Sequence, residues 1–160
     1  MVQTTNILFC GTGGQGVLKA SEVCGAAAIA EGFHARKSEV HGMAQRGGSV
    51  ESHLRFGSIV YSPLIIPGEA DFLVCFHEGE AKRLRYFLKP DGVDFTVYLS
   101  KINELSDPRF GNTLLLGILA SKLTIKKENW INALNTIVGK RMDENIAAFE
   151  KGLQIGVRAL

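Results

Sequence analysis

An α/β fold is the expectation for this chain: one three-layer α/β/α domain whose mixed sheet includes an antiparallel hairpin. Three observations predict it. A short apolar run, Asn6–Cys10, stops at a glycine turn and gives way to a small-residue helical pattern. A period-two run, Ser49–Phe56, has one apolar and one polar side. Short buried-strand runs and helical stripes then follow to the C-terminus.

The elements follow in order. Asn6–Cys10 reads as a buried first strand, and glycines stand at 11, 13, 14 and 16 behind it. Val17–Glu31 reads as a helix whose Ala20, Cys24, Ala27 and Ala28 let it lie close on a sheet, with Gly32 at the position that tolerates left-handed geometry. Phe33–Val40 reads as a second strand. This β–glycine turn–α–β opening is the first half of a Rossmann-like, nucleotide-type fold. In Ser49–Phe56, Val50, Ser52, Leu54 and Phe56 alternate with Ser49, Glu51, His53 and Arg55, which predicts a strand with one wet or functional face. Gly57-Ser58 then predicts a type II′ hairpin into Ile59–Tyr61. Pro63 and Pro67 bracket an irregular or edge segment.

Ala70–Phe76 reads as a buried strand and Glu78–Leu88 as a helix with Glu78 as its cap. Pro90-Asp91-Gly92 reads as a turn and Val93–Leu99 as a further strand. The pattern predicts a deeply buried helix over Thr113–Leu123 and another over Glu128–Val138 that ends at Gly139. Met142, Ile146, Phe149, Leu153, Val157 and Leu160 form one apolar stripe on the last helix.

Composition narrows the function. The chain has 160 residues, one domain's worth, and a formal net charge of +2 without a Lys/Arg block, which argues against a nucleic-acid footprint. Its three cysteines, Cys10, Cys24 and Cys75, show no metal-ligand spacing, so no iron–sulfur or zinc set is expected here. They read as core thiols of a reducing compartment. No leader is read and Leu114–Ala120 is too short to span a bilayer, so cytoplasm is the expected location, with no membrane partner.

Two stretches carry chemistry. Gly11-Thr12-Gly13-Gly14-Gln15-Gly16 satisfies GxGxxG between a predicted strand and helix, where close backbone approach and free N–H groups attract an anion. An NAD(P) site also wants an acid near the end of the second strand. Arg36 and Lys37 stand there instead, and Glu39 comes late. Glycines that serve only the tight turn are the plain alternative. The second stretch, Ser38–Val50, crowds Ser38, Glu39, His41, Gln45, Arg46, Gly47 and Gly48 together. Arg46 offers a planar fork to a phosphate, a carboxylate or a partner's acid, or pairs with Glu39 or Glu51 within the chain. His41 reads as a proton relay or as a donor to loop carbonyls. Gln45 reads a ligand amide or braces the loop. The candidate binding set is therefore Gly11, Gly13, Gly14, Gln15, Gly16, Ser38, His41, Gln45, Arg46, Gly47 and Gly48, with no catalytic residue and no metal site.

Taken with His53-Leu54-Arg55-Phe56-Gly57, Tyr61-Ser62-Pro63-Leu64-Ile65, Gly68-Glu69-Ala70-Asp71, Pro90-Asp91-Gly92 and Gly111–Gly117, these motifs resemble one family across essentially the whole chain. It is the gamma subunit or domain of the 2-oxoacid (pyruvate, ketoisovalerate, indolepyruvate) ferredoxin oxidoreductases, and the similarity is nearest to the small (beta) subunit of the indolepyruvate enzymes. The segment between Leu99 and Gly111 is shorter than that resemblance leads one to expect. The resemblance implies a reaction in which a 2-oxoacid, coenzyme A and oxidised ferredoxin give an acyl-CoA, CO₂ and reduced ferredoxin. It implies that thiamine diphosphate and 4Fe–4S clusters sit in large partner subunits, and that this domain takes part in coenzyme A binding and closes one face of a shared site. It further implies a hetero-oligomer that meets ferredoxin through the complex; without its partner, such a subunit is free to form a homodimer. A stand-alone nucleotide-binding oxidoreductase and a purely structural scaffold subunit are the rival readings.

Overall fold

The computed structural model describes residues 3–41 and 47–159. Its five strands are β1 (Thr5–Thr12), β2 (His34–His41), β3 (Ser49–Gly57), β4 (Ala70–Cys75) and β5 (Leu88–Asp94). The helices are α1 (Val17–Ala30), α2 (Glu78–Leu84), α3 (Leu99–Ile102), α4 (Gly111–Ala120), α5 (Lys127–Ile137) and α6 (Met142–Arg158). The sheet order is β2-β3-β1-β4-β5. β3 runs against both of its neighbours, while β4 runs parallel to β1 and to β5. The sheet is mixed, as expected.

The hairpin is displaced from its predicted place. β3 pairs with β2 from His34↔Gly57 to His41↔Val50, and with β1 from Thr5↔Phe56 to Thr12↔Ser49. Both of its edges are therefore filled, and Ile59–Tyr61 has no ladder to join. The chain instead runs on irregularly, held by side chains: Arg36 Nε donates to Val60 O at 2.9 Å, and Val60 N–H donates to His34 Nδ1 at 3.0 Å. The antiparallel hairpin is β2–β3.

The second correction concerns β5. The helix expected to reach Leu88 ends at Leu84, a 3₁₀ turn follows, and β5 begins at Leu88 and runs through Pro90-Asp91-Gly92. Ala70 faces Leu88 while Phe72 faces Val93, so the Pro-Asp-Gly residues bulge out of an edge strand. An edge tolerates a proline that cannot donate to the ladder. The residues after Asp94, expected to continue a strand, form a 3₁₀ turn whose Thr96 N–H donates to the Asp94 carboxylate at 2.9 Å.

Alternation along β1 divides the core. Ile7 and Phe9 join the cluster formed with α1, α4, α5 and α6, including the fully buried Trp130 and Phe149. Leu8 and Cys10 face α2 and Ile65 on the other side. Each buried aliphatic or aromatic side chain contributes about 1.5–3 kcal/mol. Ala20, Cys24, Ala27 and Ala28 are buried, so α1 lies close on the sheet as predicted. Its end is a Schellman turn: Phe33 N–H donates to Ala28 O and Gly32 N–H to Ile29 O, with Gly32 at φ 106°.

The stripe on α6 is rotated from the predicted one. Asn145, Ala148, Phe149, Gly152 and Gly156 are buried, whereas Val157 is 59% exposed; Leu160 lies outside the described residues. Small residues win this face because α4 crosses there in backbone contact. A Cβ on Gly117 would overlap Phe149 O, and one on Gly152 would overlap Leu114 O. α4 itself is buried nearly all round, as predicted.

Candidate functional site: a glycine turn between two helix N-termini

The glycine turn closes the carboxyl end of β1, a central strand. Gly14 and Gly16 have φ of 92° and 78°, a conformation that favours glycine. Gln15 braces the turn: its Oε1 accepts from Thr12 N–H at 2.8 Å, and its Nε2 donates to Phe76 O at 2.9 Å. Its amide is thus committed to the scaffold on both sides. Gly11 is packed beneath it, where a Cβ would lie 2.7 Å from Gln15 Oε1 and 2.9 Å from Val17 Cγ2.

The turn opens α1 without a side-chain cap and without an acid in the first turn. α4 begins in the same way, with no side-chain cap and no acid in its first turn. The two N-termini meet: Asn112 Nδ2 lies 3.5 Å from Gly16 O, and a Cβ on Gly16 would overlap that amide. The positive ends of two helices therefore converge on one place; α1 has no side-chain cap, whereas at the start of α4 Gly111 N–H donates to Pro108 O and Thr113 N–H to Asn112 Oδ1. Gly14, Gln15, Phe76, Arg109, Gly111 and Asn112 are among the residues that line a cleft of about 520 Å³ there.

Arg109 adds a cation. Its Nη2 donates to Asp107 Oδ2 at 2.7 Å and its Nε to Asp107 Oδ1 at 3.0 Å, and they hold that carboxyl down at about 2. Arg109 falls in the stretch before Gly111 that is short for the resemblance. Arg109 and Asn112 were not legible as site residues, because the packing of α4 is what carries them to residues nearly a hundred positions earlier. The only local signal was Gly111-Asn112 as a helix opening.

The structure brings Gly48 to the turn, since Gly13 N–H donates to Gly48 O at 3.0 Å, and Gly47 precedes it at φ 70°. It does not bring Ser38 there. Ser38 pairs with His53, which pairs with Leu8, so it lies mid-sheet and two strands away from β1. His41 stands at the end of the edge strand β2, exposed, with its Nε2 3.7 Å from Glu39 Oε2. Gln45 and Arg46 lie outside the described residues.

The polar face of β3 is engaged behind the turn. Ser49 Oγ donates to Glu80 Oε1 at 2.9 Å, and Arg83 Nη2 donates to Glu80 at 2.9 Å and Glu51 at 3.3 Å. The buried His53 accepts from Ile65 N–H at its Nδ1 (3.1 Å), which leaves the proton on Nε2, 3.5 Å from Glu51 Oε1. The His53 contact holds the Glu51 carboxyl below its ordinary range. This network ties the start of β3 to α2, immediately after the loop. His77, not Glu78, caps α2 by accepting from Glu80 N–H at 3.2 Å.

Cys10 and Cys75 are register partners on β1 and β4, both fully buried, and their mutual hydrogen bond and burial push the Cys10 thiol up. Among the described residues no group of His, Cys, Asp or Glu is placed to hold a metal ion, and no helix is long and apolar enough to cross a membrane.

A dinucleotide site fits poorly. β3 separates β2 from β1, which displaces the end of β2 by one strand spacing, about 4.8 Å, from its place in a nucleotide fold. The cations near it are also occupied: Arg36 binds Val60 O, and Lys37 pairs with Glu39 at 2.7 Å.

Comparison with known proteins places this architecture. Indolepyruvate oxidoreductase subunit IorB of Pyrococcus horikoshii is 36% identical over 151 residues, covering 84% of this chain and 74% of that one. The keto/oxoacid ferredoxin oxidoreductase gamma subunit from Geobacter sulfurreducens superposes with a TM-score of 0.73 at 22% identity, covering 96% of this chain and 99% of that one. A 2-oxoglutarate:ferredoxin oxidoreductase from Magnetococcus marinus, with 2-oxoglutarate, coenzyme A and succinyl-CoA bound, superposes with a TM-score of 0.81 at 18% identity over 99% of this chain and 32% of that one. These two structures share the fold. Residues 6–101 match the pyruvate ferredoxin/flavodoxin oxidoreductase family, and with that match and the Pyrococcus relative the chain belongs to this family.

Proposed function

We propose that this chain is the small, gamma-type subunit of a 2-oxoacid:ferredoxin oxidoreductase, and that it contributes to coenzyme A binding and to closing the active site. The observation that carries this reading is the uncapped N-terminus of α1 at the glycine turn, beside a cleft that Arg109 and Asn112 also line. That cleft suits the pyrophosphate of a nucleotide-type co-substrate, and the curated relative is a subunit of an indolepyruvate oxidoreductase. Thiamine diphosphate, which supplies the decarboxylation, and the iron–sulfur clusters, which carry the electrons to ferredoxin, belong to partner chains. This chain's own part is to hold the anionic end of coenzyme A and to exclude water from one side of the site. Gly13, Gly14 and Gly16 offer backbone approach, while Gly11 and Gln15 shape the turn. Gly47 and Gly48 brace the loop against it. Arg46, Gln45 and His41 are assigned to the loop face on sequence grounds alone, and Ser38, mid-sheet on β2, is left out of it.

The test is purification of the tagged chain from its native cell grown without oxygen, with the co-eluting chains identified by mass, followed by kinetics of the complex. A large thiamine diphosphate and iron–sulfur partner is expected. Arg109→Ala is expected to raise the KM for coenzyme A about tenfold, the loss of one charge-assisted contact. A chain that elutes alone overturns the subunit reading. A variant that weakens only subunit association makes the chain a scaffold.

A further inference from the structure

One face of the sheet is covered by α1, α4, α5 and α6; the other has the seven-residue α2 and an irregular strap, residues 58–68, whose Ile65 packs beneath it. The strap carries no charged residue. Val60 and Ile65 turn inward and are buried, whereas Ile59, Tyr61, Leu64 and Ile66 are exposed, Tyr61 by 87%. Tyr86, also exposed, extends the patch: its ring stacks on Phe87 with centres 4.6 Å apart, and Phe87 O accepts from Gly68 N–H at 3.1 Å. Together these five side chains expose on the order of 600 Å², the upper end for one apolar patch on a monomer and most of the roughly 800 Å² that one partner buries in a stable interface.

The strap is built in. Val60 N–H donates to His34 Nδ1 at 3.0 Å and Ile65 N–H to His53 Nδ1 at 3.1 Å. Arg36 Nε donates to Val60 O at 2.9 Å and Arg55 Nη1 to Ser62 O at 2.7 Å. Two histidines and two arginines of β2 and β3 are thus committed to a segment that joins no ladder. A surface fixed before it meets its partner loses little conformational freedom on binding.

The charges beside the strap say what kind of partner fits. Arg36 and Arg55 are register partners on β2 and β3, like charges side by side, which destabilises a sheet. Their hydrogen bonds go to neutral oxygens, Val60 O, Ser62 O and Asn6 Oδ1, and among the described residues neither has a carboxylate within ion-pair distance. The carbonyls of Val60 and Ser62 bracket Tyr61, so uncompensated positive charge flanks the exposed tyrosine. A second copy docked on the same strap about a twofold axis would bring another pair of guanidinium groups to the first, and a ridge would meet a ridge. A different chain, offering an apolar groove with carboxylates at its rim, satisfies both the side chains and the charges.

We propose that this strap docks the chain onto the large subunit of its enzyme, with Tyr61 as the central anchor and Arg36 and Arg55 facing acidic residues of that subunit. The inference rests on the subunit reading above, and the experiment separates the two.

The complex, purified without oxygen, is followed by sedimentation over a dilution series at low and high salt, with the wild-type chain, Tyr61→Ala, Arg36→Gln or, on the opposite face, Val157→Ala. The substituted side chains are exposed, so the Tm of each full chain should stay within about 2 °C of the wild type. Tyr61→Ala is expected to raise the dissociation constant at least about thirtyfold, the loss of a central aromatic anchor, and Val157→Ala to leave it within about twofold. The wild-type complex should weaken with salt, and Arg36→Gln should flatten that dependence. A Tyr61→Ala chain that assembles as tightly as the wild type overturns the inference while the subunit reading stands, and a wild-type complex indifferent to salt overturns the acidic rim. If Tyr61→Ala instead dissolves a homodimer of this chain and leaves assembly with the large subunit unchanged, the occupant is a second copy and the inference is overturned. If no large subunit accompanies the wild-type chain, the subunit reading fails and the inference falls with it.

Discussion

Gly16→Ala is the sharpest test of how the two helix N-termini are joined. The added methyl meets two separate obstacles. At φ 78° a left-handed alanine costs roughly 1–2 kcal/mol, and the stiffer unfolded chain returns about 0.4–1 kcal/mol of it. The methyl also overlaps the Asn112 amide. Asn112 is not free to leave, because its Oδ1 accepts from Thr113 N–H at 2.9 Å at the start of α4. Displacing it costs about 1–2 kcal/mol in overpacking and lost hydrogen bonding. The total is about 2–3 kcal/mol. Gly14→Ala is the control. Its φ is 92°, but a Cβ there meets nothing within 4 Å, so it carries the conformational part alone, about 1 kcal/mol. Asn112→Ala in the Gly16→Ala background removes the obstacle, so the double variant should be less destabilised than the sum by about 1–2 kcal/mol. Urea unfolding of the full chain, followed by circular dichroism, reads these three variants and the Asn112→Ala single variant that the sum requires. Equal costs for Gly14→Ala and Gly16→Ala, or a strictly additive double variant, would refute the proposed contact.

Other substitutions probe the scaffold. Gly152→Ala drives a methyl into Leu114 O and to within 2.9 Å of Gly117 Cα, backbone that cannot give way, so α4 and α6 must part. A loss of about 3 kcal/mol, or a Tm drop on the order of 10 °C in calorimetry, is expected. Glu51→Gln probes the network behind the loop. Because its folded carboxyl titrates below the ordinary value of about 4.3, Glu51 contributes stability that is present above that value and is lost as pH falls through the folded one. The wild type should therefore lose stability more steeply than the variant in urea titrations on the acid side of pH 4.3; parallel profiles would reject the ion pair with Arg83 and the His53 contact. Ser52 Oγ is buried without a hydrogen-bond partner among the described residues. Ser52→Ala should leave the urea midpoint unchanged or raise stability by about 1 kcal/mol, and a clear loss would mean that a partner has gone unseen.

What the sequence made legible was local. The apolar run into glycines, the small-residue face of α1 and Gly32 after its last turn each specify geometry within a few residues, and each is found. The polar face of β3 was legible too, since alternation needs no knowledge of the neighbouring strand. The partner of β3 was not. Gly57-Ser58 is a sound hairpin signal, but it speaks only for the chain that follows. It is silent about β1 and β2, which have already taken both edges. The proline inside β5 misled for a related reason: a turn signal becomes a bulge once the strand lies at an edge. The stripe on α6 was misjudged because hydrophobicity ranks leucine and valine above glycine, while a backbone-to-backbone helix crossing ranks them the other way. At the site the same division holds. The glycine turn is local and legible. Arg109, Asn112, Lys140 and Asn145 are drawn toward one region only through the contacts of α4 with α1 and α6.

The insertion of β3 between β1 and β2 explains why a chain that opens like a dinucleotide-binding protein is not built as a complete one. In that fold the glycine turn holds phosphate and the neighbouring strand end holds ribose. Here the phosphate end is intact, with Gly14 and Gly16 in the required conformation, but β3 occupies the neighbouring position and presents its polar face to α2. The ribose-holding element has been moved one strand outward. On the reading proposed above, the anionic end of a ligand is held at the turn and the rest of that ligand by other residues. Either α4, α6 and their preceding turns supply them within this chain, or a partner chain does. The cleft beside the turn, which residues of α4 and of the segment before it help to line, favours the first for the anionic group. Relatives of the same family are named as subunits, and an assembly is where such a half-site would be completed.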